Sequence, residues 1–137
     1  MRRREHSDIR ERVLYEDNHL IVINKEAGEL VQGDSTGDKT MGDSIRNYLR
    51  LKYKKPGEAF LGIVHRLDRP TTGAVLFAKT SKGLTRMSEA FRTRAVEKVY
   101  WAVVTGQPPK DEDTLTHYLF KDKKNNKAIL YKKPAGD

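Results

Sequence analysis

The sequence predicts an α+β domain, a largely antiparallel sheet with helices on its surface, and three observations carry that reading. Short apolar runs bounded by turn residues recur at 20–23, 63–64, 74–78 and 97–106, with the lengths and punctuation of strands. Two further stretches, from Met41 to about Tyr53 and from Ser81 to about Arg94, repeat apolar residues at helical spacing behind a hydroxyl residue that can cap them. The 137 residues show no break in composition, which suits one domain with a single modest core.

Composition narrows the function classes. Hydrophobic residues make up 36% and charged ones 34%, and no apolar run approaches the length of a membrane-spanning helix. The N-terminus, MRRREHSDIRER, carries charge but no apolar segment behind it, so no signal peptide is expected. Without cysteine there is no disulfide framework, thiolate nucleophile or cysteine-type zinc site, which fits a reducing cytoplasm. The net charge of +8 and the pI near 9.7 point to a polyanionic partner, nucleic acid first, because clustered Lys and Arg gain affinity by displacing counterions. Solubility alone is the competing explanation of that charge.

Taken in order, residues 1–12 read as a flexible basic arm in which Arg2, Arg3, Arg4, Arg10 and Arg12 alternate with acids. The domain proper is expected over 13–137. A strand approach from Val13, a turn at Glu16 to Asn18, an apolar strand from Leu20 to Ile23 and a turn at Ala27 and Gly28 follow. Residues 32–39 are polar and Gly-rich, a loop with room to move. Thr40 is the expected N-cap of the first helix, whose apolar face carries Ile45 and Leu49. Ser81 is the expected cap of the second, with Leu84, Met87, Ser88 and Phe91 on its core face. Residues 97–106, apolar on both faces, read as a central strand. Residues 114–118 and 128–131 then read as a hairpin whose tip carries Lys121, Lys123, Lys124 and Lys127.

Between the second strand and the second helix lies the stretch that holds chemistry, GIVHRLDRPTTGAVLFAKT at 62–80. A polar hinge places one carboxylate, Asp68, between Arg66 and Arg69, with Pro70 and Gly73 as turn residues. Residue types leave two readings open. An aspartate there caps its turn or forms a surface ion pair, or it is a nucleophile or base kept ionised by the neighbouring cations.

The stretch resembles the signature of the RluA-type pseudouridine synthases, HRLD followed by Thr-Ser-Gly and an apolar strand ending in Ala-Lys. His65, Arg66, Leu67, Asp68, Thr71, Gly73, Ala78 and Lys79 match it, with Thr72 where serine is usual. Asn24, Lys25, Ala27 and Gly28 match the family's first motif, with Glu26 in place of proline. Lys98, Tyr100, Ala102, Val104 and Gly106 match a third. The resemblance implies the pseudouridine synthase catalytic fold, incomplete at its C-terminus, since the Gly-Arg-x-His-Gln-Ile-Arg type motif is not found before Asp137. It implies Asp68 as the essential carboxylate, Arg66 filling the space a flipped nucleotide leaves, Tyr100 packing on the base, and Arg69 and Thr72 as further substrate contacts.

The reaction so implied isomerises a uridine of ribosomal or transfer RNA without redox change or energy input, so neither cofactor nor metal is expected. The partner is RNA, not a membrane. The alternative is a catalytically incomplete RNA-binding fragment of the same fold. An unpaired sheet edge would also favour self-association.

Overall fold

The computed structural model describes residues 5–133, which form an α+β arrangement in two compact units, Met1–Lys98 and Val99–Asp137. The first unit holds a four-stranded antiparallel sheet of β1 (Val13–Glu16), β2 (Leu20–Lys25), β3 (Gly62–Ile63) and β4 (Gly73–Ala78), in the order β1-β2-β4-β3. Helix α1 (Met41–Lys52) lies between β2 and β3 in the chain, and α2 (Ser81–Arg92) follows β4.

The core follows from period-2 alternation. On β2 and β4 the registered pairs Ile21↔Phe77 and Ile23↔Val75 are fully buried, while Leu20, Val22 and Leu76 are only half so. Met41, Ile45 and Leu49 of α1 join the buried pairs, with Val31, Ala59, Leu61 and Ile9 at the margins. The helix starts where Thr40 accepts from the Asp43 amide and Asp43 returns a bond to the Thr40 amide, a reciprocal cap that satisfies two otherwise orphaned donors.

Helix α2 departs from expectation in two ways. Thr80, not Ser81, is its N-cap. Its apolar stripe is only partly buried, and Ser88 is exposed, because the stripe rests on the short β3–β4 edge rather than in the core. Two glycines allow that approach: a Cβ at Gly62 would lie 2.9 Å from Leu84 Cδ1, and one at Gly83 would lie 2.7 Å from the His19 carbonyl oxygen.

Ordered structure begins before Val13. A single 3-10 turn, Ile9–Arg12, buries Ile9 and Arg12. The Arg12 guanidinium grips both oxygens of Glu29, at 2.7 and 2.8 Å, and bonds to the Ser7 and Asn24 carbonyls, so it is no part of a free basic arm. Arg2, Arg3 and Arg4 lie outside the described residues.

The second unit corrects the expectation most. Residues 97–106 form no strand, and Trp101 is 97% exposed. A strand exists only through hydrogen bonds to a neighbour, and no described strand lies against this stretch. The hairpin does form, as β5 (Tyr118–Asp122) and β6 (Lys127–Tyr131), later and tighter than the sequence suggested. Asp122 closes its four-residue turn by accepting from the Lys124 and Asn125 amides, and Asn126 takes the left-handed backbone at φ 51°.

Candidate active site

The turn between β3 and β4 carries four of the five expected site residues. Strand β3 stops after two residues, and the imidazole of His65 takes over at its end, Nε2 accepting from the Leu76 amide at 3.0 Å. The ring stacks on Phe91 with centroids 4.6 Å apart. Burial, with a smaller push from Lys98, lowers the His65 pKa, so the ring is neutral and structural. Beyond it, the Thr71 amide donates to the Asp68 carbonyl at 2.9 Å, and Gly73 turns the chain into β4 at φ 135°, a conformation side chains disfavour.

The turn is anchored from beneath by Lys25, whose side chain is 1% exposed. Its ammonium donates to the carbonyls of Arg69 at 2.8 Å, Thr71 at 2.7 Å and Glu26 at 3.1 Å. All three donors of the buried cation are thereby used. Burial pushes its pKa down; Glu29 opposes that, Arg69 adds to it, and the charge of Asp68 opposes it. The Gly28 turn completes the anchor: its amide donates to the Arg69 carbonyl at 2.8 Å and its carbonyl accepts from Arg69 Nε at 3.0 Å.

Asp68 itself is exposed, and its carboxylate makes no hydrogen bond or ion pair among the described residues. Its backbone closes the turn; its side chain neither caps nor pairs. Among the described residues neither flanking arginine forms an ion pair with it. Arg69 turns to Asp38, 2.9 Å from Nη2, with Asp34 3.9 Å from Nη1. Arg66 is exposed and has no hydrogen-bonded or ion-paired partner among the described residues. Thr72 is exposed at the end of the same turn. Tyr100 belongs to the second unit, 60% exposed in a stretch without secondary structure.

A cavity of about 740 Å³ touches the turn through Arg69 and Pro70, with Gly28, Asp38 and Lys39 on its wall. A larger one, about 1090 Å³, lies between the N-terminal turn and α1 and includes none of the expected site residues. Among the described residues no group of acidic, histidine or cysteine side chains has the geometry of a metal site.

Sequence reasoning placed Lys25 in a structural motif but missed its hold on the turn. The available signal was its parity with Ile21 and Ile23, which puts a lysine on the buried face of β2. Asp34 and Asp38 gave no signal, since nothing in a polar loop identifies a partner in another turn.

Comparison with known proteins places this geometry. The family model described as RNA pseudouridylate synthase matches residues 19–136. The ribosomal large subunit pseudouridine synthase C of Vibrio vulnificus (strain CMCP6) is 32% identical over 130 residues, 95% of this chain and 39% of that protein. The protein of the same name from Rickettsia bellii (strain RML369-C) is 36% identical over 82% of this chain and 36% of its own length. That from Escherichia coli (strain K12) is 40% identical over 69% of this chain and 28% of its own. Among solved structures, human RNA pseudouridylate synthase domain containing 4 superposes with a TM-score of 0.55 at 30% identity, covering 64% of this chain and 31% of that one. The chain thus spans well under half the length of these relatives. With a family model matched over most of its residues, from before β2 to beyond β6, the chain belongs to the RNA pseudouridylate synthase family.

Proposed function

We propose that the chain carries the aspartate of an RNA pseudouridine synthase, with Asp68 as the essential carboxylate acting on a uridine of ribosomal RNA. The observation that carries the reading is the state of Asp68: a carboxylate on an anchored turn, exposed and without a hydrogen-bonded or ion-paired partner among the described residues. A structural aspartate is normally tied to the groups it stabilises, whereas a reacting one must keep its oxygens available.

In the reaction the bond from N1 of uracil to the ribose breaks, the base turns, and C5 bonds to the anomeric carbon. C5 loses its hydrogen as a proton and N1 gains one, so the change is an isomerisation. Asp68 serves by attack on the sugar or by taking a proton from it. Arg66, exposed and without a described partner, is free to enter the space left by the flipped nucleotide and to stack or bind phosphate there. Tyr100, largely exposed, offers a ring for the base. Thr72 offers a hydroxyl at the mouth of the turn.

The names of the relatives favour ribosomal over transfer RNA, and the net charge of +8 suits either polyanion. The lack of cysteine is in keeping with a cytoplasmic setting, and among the described residues no helix is long and apolar enough to cross a membrane. We assign the basic arm to residues 1–12 only in part, Arg12 being committed to Glu29, and read 13–137 as catalytic-domain sequence.

A second reading is an RNA-binding chain of the same fold without turnover, for which the exposed rings of Tyr100 and Trp101 offer surfaces on which bases stack. Incubating the chain and its Asp68→Ala variant with ribosomal and transfer RNA, then mapping pseudouridine by mass spectrometry, separates the two. Pseudouridine in ribosomal RNA made only by the parent supports the proposal. RNA binding by both proteins without product leaves the second reading.

A further inference from the structure

The two arginines that flank Asp68 are unlike in their surroundings. Arg66 has no described partner, but Arg69 is engaged through both its main chain and its side chain. Its carbonyl accepts from the Gly28 amide and from the Lys25 ammonium, each at 2.8 Å. Its Nε donates to the Gly28 carbonyl at 3.0 Å, so Arg69 and Gly28 are joined in both directions. The far end of the guanidinium lies 2.9 Å from Asp38 and 3.9 Å from Asp34. Both terminal nitrogens of the guanidinium thus face carboxylates of this chain, which compete with a phosphate for them. Asp34 is itself tied into its loop, accepting from the Thr36 amide at 2.8 Å.

We propose that Arg69 is a positioning residue that pins the Asp68 turn to the Gly28 turn and to the loop holding Asp34 and Asp38, and is not a contact for RNA phosphate. This rests on the reading of Asp68 given above, and it reverses the expectation that Arg69 binds substrate. An exposed ion pair by itself contributes little. What distinguishes this one is geometry: the fork that reaches Asp38 also reaches Gly28, and the residue that carries it lies within the Asp68 turn, next to Asp68 itself. Lysine, a single point charge, cannot reproduce both contacts.

The test uses the full chain with Arg69→Ala, Arg69→Lys and Asp34→Asn/Asp38→Asn, and Arg66→Ala as the comparison. Hydrogen exchange of the Gly28 and Thr71 amides is read first. The expected result is an acceleration of about tenfold in Arg69→Ala and Arg69→Lys, and a smaller one in the double asparagine variant, with the Ile23 and Val75 amides unchanged. The salt dependence of binding to a uridine-containing ribosomal RNA stem-loop is read second. A phosphate ligand lost from the interface lowers the slope of log K against log salt by about 0.7–0.9. Arg66→Ala is expected to lower it so, and Arg69→Ala to leave it unchanged. A fall of that size in Arg69→Ala overturns the proposal, as does unaltered protection of Gly28 and Thr71. The exchange readout needs neither RNA nor turnover. Failure of the Asp68 reading would appear separately, as product formation that survives Asp68→Ala.

Discussion

Glu16 shows how single side chains hold the first unit together. Its carboxylate, nearly buried at the end of β1, accepts from Tyr48 at 2.9 Å, Lys52 at 3.1 Å, Lys79 at 2.9 Å and the Tyr53 hydroxyl. One residue thus ties the β1–β2 hairpin to the end of α1 and to the lysine that closes the signature stretch. Burial pushes its pKa up, but the bonds from Tyr53, Lys79, Tyr48 and Lys52 outweigh it and hold the group at about 2, below its ordinary 4.5. A folded pKa below the unfolded one means that the stabilisation is complete above the unfolded value and is lost as pH falls toward 2. Urea denaturation of the parent should therefore lose up to about 3 kcal/mol more than Glu16→Gln between pH 6 and pH 2.5. Equal acid sensitivity of the two proteins would show that the carboxylate contributes no such term. Among single residues, the motif around it singles out Asp68 as a candidate, but the sequence does not tell that its carboxylate has no hydrogen-bonded or ion-paired partner among the described residues. That depends on where Arg69 points, and the carboxylates that attract Arg69 sit some thirty positions earlier.

Elements were legible where their signals are local. The cap at Thr40 is written in the Thr40–Asp43 spacing, whereas the buried parity of β2 and β4 is hidden in the sequence because both runs are apolar at every position from 20 to 23 and from 74 to 78. Over residues 97–106 alternation tells which faces a strand would present, not whether a neighbouring strand is there to receive its hydrogen bonds. At the start of α2 two adjacent hydroxyl residues, Thr80 and Ser81, are equally suited to cap by type, and the structure uses Thr80. The seating of α2 could not be read at all, since it depends on a glycine meeting a carbonyl from another turn. Within a helix Gly83→Ala should gain about 1 kcal/mol from propensity. Here the new Cβ would fall 2.7 Å from the His19 oxygen, so the substitution should lower the melting temperature. A rise would mean that α2 shifts freely on the sheet.

At the scale of the molecule, the two units differ in how well they bury apolar surface. The first has a continuous core from Ile9 to Phe77. The second exposes Val99, Trp101, Val103 and Leu115, and both strands of its hairpin, whose pairing β5–β6 leaves two free edges. A two-stranded hairpin is marginally stable alone, and free edges beside apolar side chains invite pairing with another chain. Self-association through this unit is therefore expected in sedimentation at micromolar concentration, and Trp101→Lys with Val103→Lys should reduce it. A monomeric parent at the same concentration would contradict that expectation.

The proposed role of the Asp68 carboxylate as the reacting group is read out by release of tritium from RNA labelled at C5 of uridine. Forming the new carbon bond expels that hydrogen. The parent should release tritium, and Asp68→Ala should release at least a hundredfold less, on the order expected for loss of a reacting acid or base, while binding the RNA as tightly. Release at the parental rate by Asp68→Ala would contradict the assignment of Asp68, and no release by the parent with RNA bound would contradict turnover by these 137 residues.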